Sequence, residues 1–129
     1  MSLTYNLKFK RKLEKKQELK KLIENNDNKF FLISGLLSYN NGYINGSFEN
    51  QMIELEFDEI SEVSFDILKK DADSVLLRKS VLNMAHKIIN EIYPDEDYYF
   101  DLNGDFIFEK RENGITKRNS KSDFYQGLD

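Results

Sequence analysis

The most regular pattern of the chain lies between residues 74 and 92, where Leu77, Val81, Met84, Ala85, Ile88 and Ile92 recur at three- and four-residue intervals. At about 100° per residue these side chains fall on one stripe, so the spacing predicts an amphipathic core helix. Asp73-Ser74 offers a cap and Pro94 a stop. The same geometry turns His86 about 180° from the centre of the stripe, toward solvent.

A different period runs from Phe30 to Asp58. Turns at Asn41-Gly42 and Asn50-Gln51 would gather Leu37, Tyr39, Ile44, Phe48, Ile53, Leu55 and Phe57 on one face of a three-stranded antiparallel meander. In that register Tyr39 pairs with Ile44, Phe48 with Ile53 and Ile44 with Phe57. The opposite face then carries Glu54, Glu56 and Asp58. From Asp58 to Asp71 two periods compete: Val63, Phe65 and Ile67 alternate like a strand, while Ile60, Val63, Ile67 and Lys70 suit a short helix, which the reading favours.

After the core helix, Tyr98 to Lys110 reads as a second hairpin. A three-residue loop, Leu102-Asn103-Gly104, collects Tyr98, Phe100, Phe106 and Phe108 on one side and Asp97, Asp101, Asp105 and Glu109 on the other. Asp101 and Asp105 would then face each other, a repulsive cross-strand pair. Asn113-Gly114 starts a short last strand at Ile115-Thr116, and residues 118–129 read as a frayed polar tail. Lys8 to Glu24, rich in helix formers with Glu14 and Glu18 set among lysines, predicts a basic N-terminal helix ended by Asn25-Asn26-Asp27-Asn28.

These elements amount to a single α+β domain over residues 1–117: an N-terminal helix, a three-stranded meander, a core helix packed on the sheet and a second antiparallel hairpin. The composition suits a folded chain, with 40% hydrophobic and 13% aromatic residues in 129. Without cysteine there is no disulfide framework, thiolate nucleophile or thiolate metal site, and a reducing compartment, the cytoplasm, is the expectation. Neither a leader nor a membrane-spanning apolar run is read in the sequence. Richness in asparagine, lysine and isoleucine suggests an AT-rich bacterial or phage genome.

Charge is distributed unevenly. The segment from Lys8 to Lys21 holds eight basic and two acidic residues in a chain of net −4, so the remainder carries about −10. Such asymmetry marks an interaction with nucleic acid, membrane or protein, or the mutual attraction of the two parts.

Motifs for catalysis are scarce. His86 has no neighbour in sequence to complete a triad or a two-histidine metal site. The glycines around Asn41-Gly42 do not form a phosphate loop. Asp101-Leu102-Asn103-Gly104-Asp105 has the carboxylates of a calcium loop, but its glycine comes one position early and the bidentate glutamate is missing, so it reads as a hairpin turn. No cofactor is implied. The sequence therefore favours a protein-binding module, an inhibitor or immunity-type protein being one form, that docks a basic protein partner through Glu54, Glu56, Asp97, Asp101, Asp105 and Glu109. The alternatives are a metal-dependent hydrolase using Asp97, Asp101 and Asp105 as ligands, and nucleic-acid binding through the basic arm.

Overall fold

Leu3, Tyr5, Leu7 and Phe9 alternate with polar residues, and a period of two outweighs helix propensity when one face can be buried. In the computed structural model, which describes residues 3–26, 29–68 and 74–128, the chain accordingly opens on a strand, β1 (Thr4–Phe9). The expected N-terminal helix is therefore corrected to a strand followed by a shorter helix, α1 (Lys16–Glu24). Helix α1 docks through Leu19, which is buried, and through half-buried Leu22 and Ile23.

The other elements are β2 (Phe31–Ile33), β3 (Leu37–Phe48), β4 (Gln51–Ile67), α2 (Ser74–Lys87) extended by a π-helical turn (Ile88–Ile92), β5 (Tyr98–Leu102), β6 (Phe106–Glu112) and β7 (Ile115–Arg118). Seven strands form one mixed sheet in which β1 lies between β4 and β5, β5 pairs β6, and β3 pairs β4. A single parallel bridge between Ser47 and Phe106 joins β3 to β6, so β1, β5, β6, β3 and β4 close into a ring, with β2 added to β4 and β7 to β6. The fold is strand-dominated α+β.

No meander forms. Asn41 adopts the left-handed conformation that the Asn-Gly signal called for, with φ 56°, yet the strand continues through it. Burial accounts for this: pairing β3 with β4 along its whole length, from Leu37–Glu62 to Phe48–Gln51, encloses Ile60 fully over Gly42. The one turn is at Glu49-Asn50, both at positive φ, and it pairs Phe48 with Gln51 and Ile44 with Leu55. That register lies two residues from the expected one, an even shift that keeps Ile44, Phe48, Ile53, Leu55 and Phe57 on one face, whereas Leu37 and Tyr39, expected to be buried with them, are exposed because the turn at 41 is absent.

The segment after Asp58, expected to be helical, continues β4 as far as Ile67, paired on one edge with β1 and on the other with β2. Positions 69–71 of that segment, and Asp73 of the expected cap, lie outside the described residues, as do Asp27 and Asn28. Helix α2 buries Leu77, Val81, Met84 and Ala85 as its periodicity predicts, and Ile88 and Ile92 follow in the π-helical turn.

Two cores result. The larger lies between the helices and one face of the sheet, with Tyr5, Leu7, Phe9, Val63, Phe65, Phe100 and Phe108 among its members. The smaller, on the other side, joins Ile44, Phe48, Ile60, Tyr99 and Ile107 from four strands. Residues 119–128 are not a frayed tail. Phe124 stacks on Phe108 at 4.3 Å between ring centroids, and Asn119 is buried against β3 and β6.

Candidate functional site

The six carboxylates expected on one acidic surface stand in three different environments. Glu54 and Glu56 are exposed on β4, with Asp58 beyond them, and Asp105 is exposed in the β5–β6 loop. Asp97, just before β5, accepts the backbone amides of Asn113 (2.8 Å) and Gly114 (3.1 Å) and pairs with Lys10 at 3.2 Å. Burial opposes its charge, but those donors outweigh it and hold its carboxyl below the usual aspartate range.

Asp101 and Glu109 are interior residues. The expected opposition of Asp101 to Asp105 does not occur, because the loop is Asn103-Gly104-Asp105 and a bulge between Phe100 and Asp101 sets Asp101 opposite Ile107. Asp101, with 0% exposure, accepts Asn6 Nδ2 (2.9 Å) and the Gly104 amide (3.0 Å) through Oδ1, while Lys8 Nζ lies 3.4 Å from Oδ2. Burial dominates there and raises its carboxyl pKa despite Lys8.

Glu109, 2% exposed, accepts His86 Nε2 (3.0 Å), Tyr98 Oη and Tyr125 Oη (2.7 Å). Burial pushes its carboxyl up, yet these three donors and the His86 charge outweigh it and leave it below the ordinary glutamate range. Burial and the adjacent Glu109 both push the Tyr98 and Tyr125 hydroxyls upward, so they stay neutral donors.

His86 is thus half-buried against Glu109 instead of turned to solvent. Leu82 and Ile89, four residues before and three after it, are both buried. The covered arc of the helix is therefore wider than the central stripe, and that row was the available signal for His86. It lines a cleft of about 210 Å³ together with Asn90, Arg111, Thr116 and Arg118.

The basic segment folds back on the acidic body. Lys8 pairs with Asp101, Lys10 with Asp97, Arg11 with Glu96 and Lys12 with Glu59. Glu54, Glu56, Asp58 and Asp105 form no ion pair among the described residues. Beside the first two, on the exposed face of the β3–β4 hairpin, Tyr43 (56% exposed) is paired with Glu56, Asn45 with Glu54, and Met52 (65% exposed) with Ser47. Along residues 51–60 the other edge of β4 has no strand partner among the described residues.

Among the described residues no group of three or more His, Asp or Glu side chains converges as a metal site requires, and no helix is long and apolar enough to cross a membrane. No family model, curated protein or solved structure matches the chain.

Proposed function

We propose that the protein is a protein-binding module whose docking surface is the outer face of the β3–β4 hairpin, with Glu54 and Glu56 meeting a basic protein partner. The observation that supports this reading most is the cross-strand set Tyr43–Glu56, Asn45–Glu54 and Ser47–Met52, which puts an aromatic ring and a methionine among carboxylates without cationic partners. Aromatic and methionine side chains supply contact area at interfaces, and carboxylates around them steer a cationic partner. Asp105 lies on the loop between β5 and β6, whose main chain touches β3 where Ser47 N donates to Asp105 O. Asp97, Asp101 and Glu109 leave the proposed surface, since each is engaged within the fold.

An inhibitor of a basic enzyme or toxin is the narrower form of this proposal. The hydrolase alternative has less support, because Asp97 and Asp101 are committed to Lys10 and Lys8. Nucleic-acid binding through the basic arm has less support as well, since four of its cations already face carboxylates.

The test compares Glu54→Lys/Glu56→Lys with Glu18→Lys/Glu24→Lys, an equal charge change on exposed residues of α1. A protein captured by the wild type should be retained by the α1 variant and lost by the hairpin variant, with association slowed about tenfold or more at low salt. Equal retention by both variants would remove the hairpin face as the docking surface.

A further inference from the structure

We infer, resting on the hairpin surface proposed above, that its basic partner binds as an extended segment that adds a strand to the free edge of β4, with basic and apolar residues in alternation. The hydrogen-bond phase of the hairpin defines that edge. Glu49 and Asn50, at φ 52° and 64°, make a two-residue turn, so Phe48 and Gln51 exchange both hydrogen bonds, as does every second pair beyond them, Gly46–Ile53 and Ile44–Leu55. The residues between turn their main-chain groups away from the partner strand. Ser47 does so, since its amide donates to Asp105 O at 2.8 Å. Met52, Glu54 and Glu56 therefore direct their amides and carbonyls outward from the hairpin on the β4 side. Strand β1 meets β4 only from Ser61 onward, so no strand among the described residues pairs with them there.

An unpaired edge recruits another strand unless charge opposes it. A second copy of the chain meets that opposition: aligned antiparallel about Leu55 it sets Glu54 against Glu56, and aligned parallel in register it sets each glutamate against itself. A foreign strand escapes it when its side chains opposite Glu54 and Glu56 are basic. Those side chains share the exposed face with Tyr43 and Met52. The intervening residues of the added strand fall on the other face, beside Ile53, Leu55 and Phe57, which are only half-buried against the smaller core. Apolar residues at those positions cover that row. Main-chain hydrogen bonds then supply affinity, and the two rows of side chains supply selection. A folded basic surface meets the glutamates but leaves the outward main-chain groups unused.

The probe is the peptide acetyl-Lys-Val-Lys-Val-Lys-Val-Lys-amide, together with two isomers that carry backbone N-methyl groups either on the lysines or on the valines. With lysines opposite Glu54 and Glu56, only the lysine amides face β4. Binding to the intact protein is followed by NMR titration and amide exchange. The parent and the valine-methylated peptide should bind saturably, with dissociation constants on the order of 1 mM or tighter. Both should slow exchange at Met52, Glu54 and Glu56 and leave Ile53 and Leu55, already bonded to β3, unchanged. The lysine-methylated peptide should bind at least about tenfold more weakly, and Glu54→Lys/Glu56→Lys should weaken the parent by a similar factor. Equal binding by the two methylated isomers, still lost in the double variant, would overturn strand addition and leave the hairpin surface standing. Binding that survives the double variant would remove the surface itself, and strand addition with it. A parent peptide that does not bind saturably would also overturn strand addition, even where a captured protein still requires Glu54 and Glu56. Exchange at Met52, Glu54 and Glu56 that slows with protein concentration alone would assign the edge to a second copy instead.

Discussion

Lys8 and Asp101 form an ion pair inside the sheet, with Nζ 3.4 Å from Oδ2 and the carboxylate wholly enclosed. They come from neighbouring strands, one step diagonal to the Lys8–Tyr99 and Asn6–Asp101 pairs, and their approach explains why a lysine-rich start does not become a free basic arm. Removing one member of such a pair leaves an uncompensated charge. Lys8→Met should therefore cost about 3 to 5 kcal/mol in urea unfolding, and Lys8→Met/Asp101→Leu should recover most of it. A double variant as unstable as the single one would mean that the pair is not the reason for the loss.

Glu109 should determine part of the acid stability. Its folded-state pKa lies below the ordinary glutamate value of 4.5, so the stability it contributes is fully present above that pH and is lost as pH falls through the folded value. Asp101 has the opposite sign. Its folded value is raised above the ordinary 3.8, so between those two values its contribution falls as pH rises. Unfolding free energies measured between pH 2 and pH 7 should show a flatter acid limb for Glu109→Gln than for the wild type. An unchanged limb would exclude Glu109 as its source. At neutral pH, Glu109→Ala should cost about 3 to 5 kcal/mol, since three donors lose their acceptor.

A β-carbon at position 42 would stand 2.4 Å from Ile60 Cγ2 and 2.8 Å from Tyr39 Cε2. Gly42 has no positive φ, so Gly42→Ala tests close approach without backbone strain. The substitution should cost about 1 to 3 kcal/mol by overpacking. In an Ile60→Ala background most of that cost should vanish, a coupling that a double-mutant cycle on thermal or urea unfolding measures. Additive costs would show that Ile60 is not the obstacle.

Asn119 closes the ring of strands where β3 and β6 share a single bridge. Its Nδ2 donates to Ile107 O (2.9 Å) and Ser47 O (3.4 Å), while its Oδ1 accepts the amides of Glu49 (3.2 Å) and Lys121 (2.9 Å). Asn119→Ala should cost about 2 to 4 kcal/mol. Amide exchange should accelerate most at Ser47 and Glu49 and much less at Leu7 and Phe100, in strands of the larger core. Uniform acceleration would indicate global destabilisation instead of an opened seam.

Parts of the architecture are legible in the residues alone. The stripe of α2, the Asn113-Gly114 turn into β7 and the inward set Ile44, Phe48, Ile53, Leu55 and Phe57 of the β3–β4 hairpin follow from local periods and turn chemistry, whereas the loop before Phe106 falls at residues 103–105 instead of 102–104 and leaves Phe106 exposed. The alternation of Leu3, Tyr5, Leu7 and Phe9 was legible too, but eight cations between Lys8 and Lys21 made a helix the stronger reading. Of the proposed acidic surface, Glu54, Glu56 and Asp105 are exposed as their pattern implied, whereas Asp101 and Glu109 are enclosed. Alternation says which side of a strand a carboxylate occupies, and β5 and β6 are buried on both sides.

The sequence by itself determined the period of α2 and of the hairpin strands around residues 44–57, and through it which of those residues share a face, because both depend on local backbone geometry; where two periods competed, as at residues 4–9 and 59–67, it did not choose between them. Tertiary structure decided what each face meets. A turn at Asn41 gave way to a long strand once Ile60 could be covered, and the basic segment found carboxylates on β4, β5 and the loop before β5. Likewise Glu109 gained His86 and two tyrosines from 11 to 23 residues away. Such pairings depend on which distant surfaces exclude water together, a free energy that no window of neighbouring residues contains.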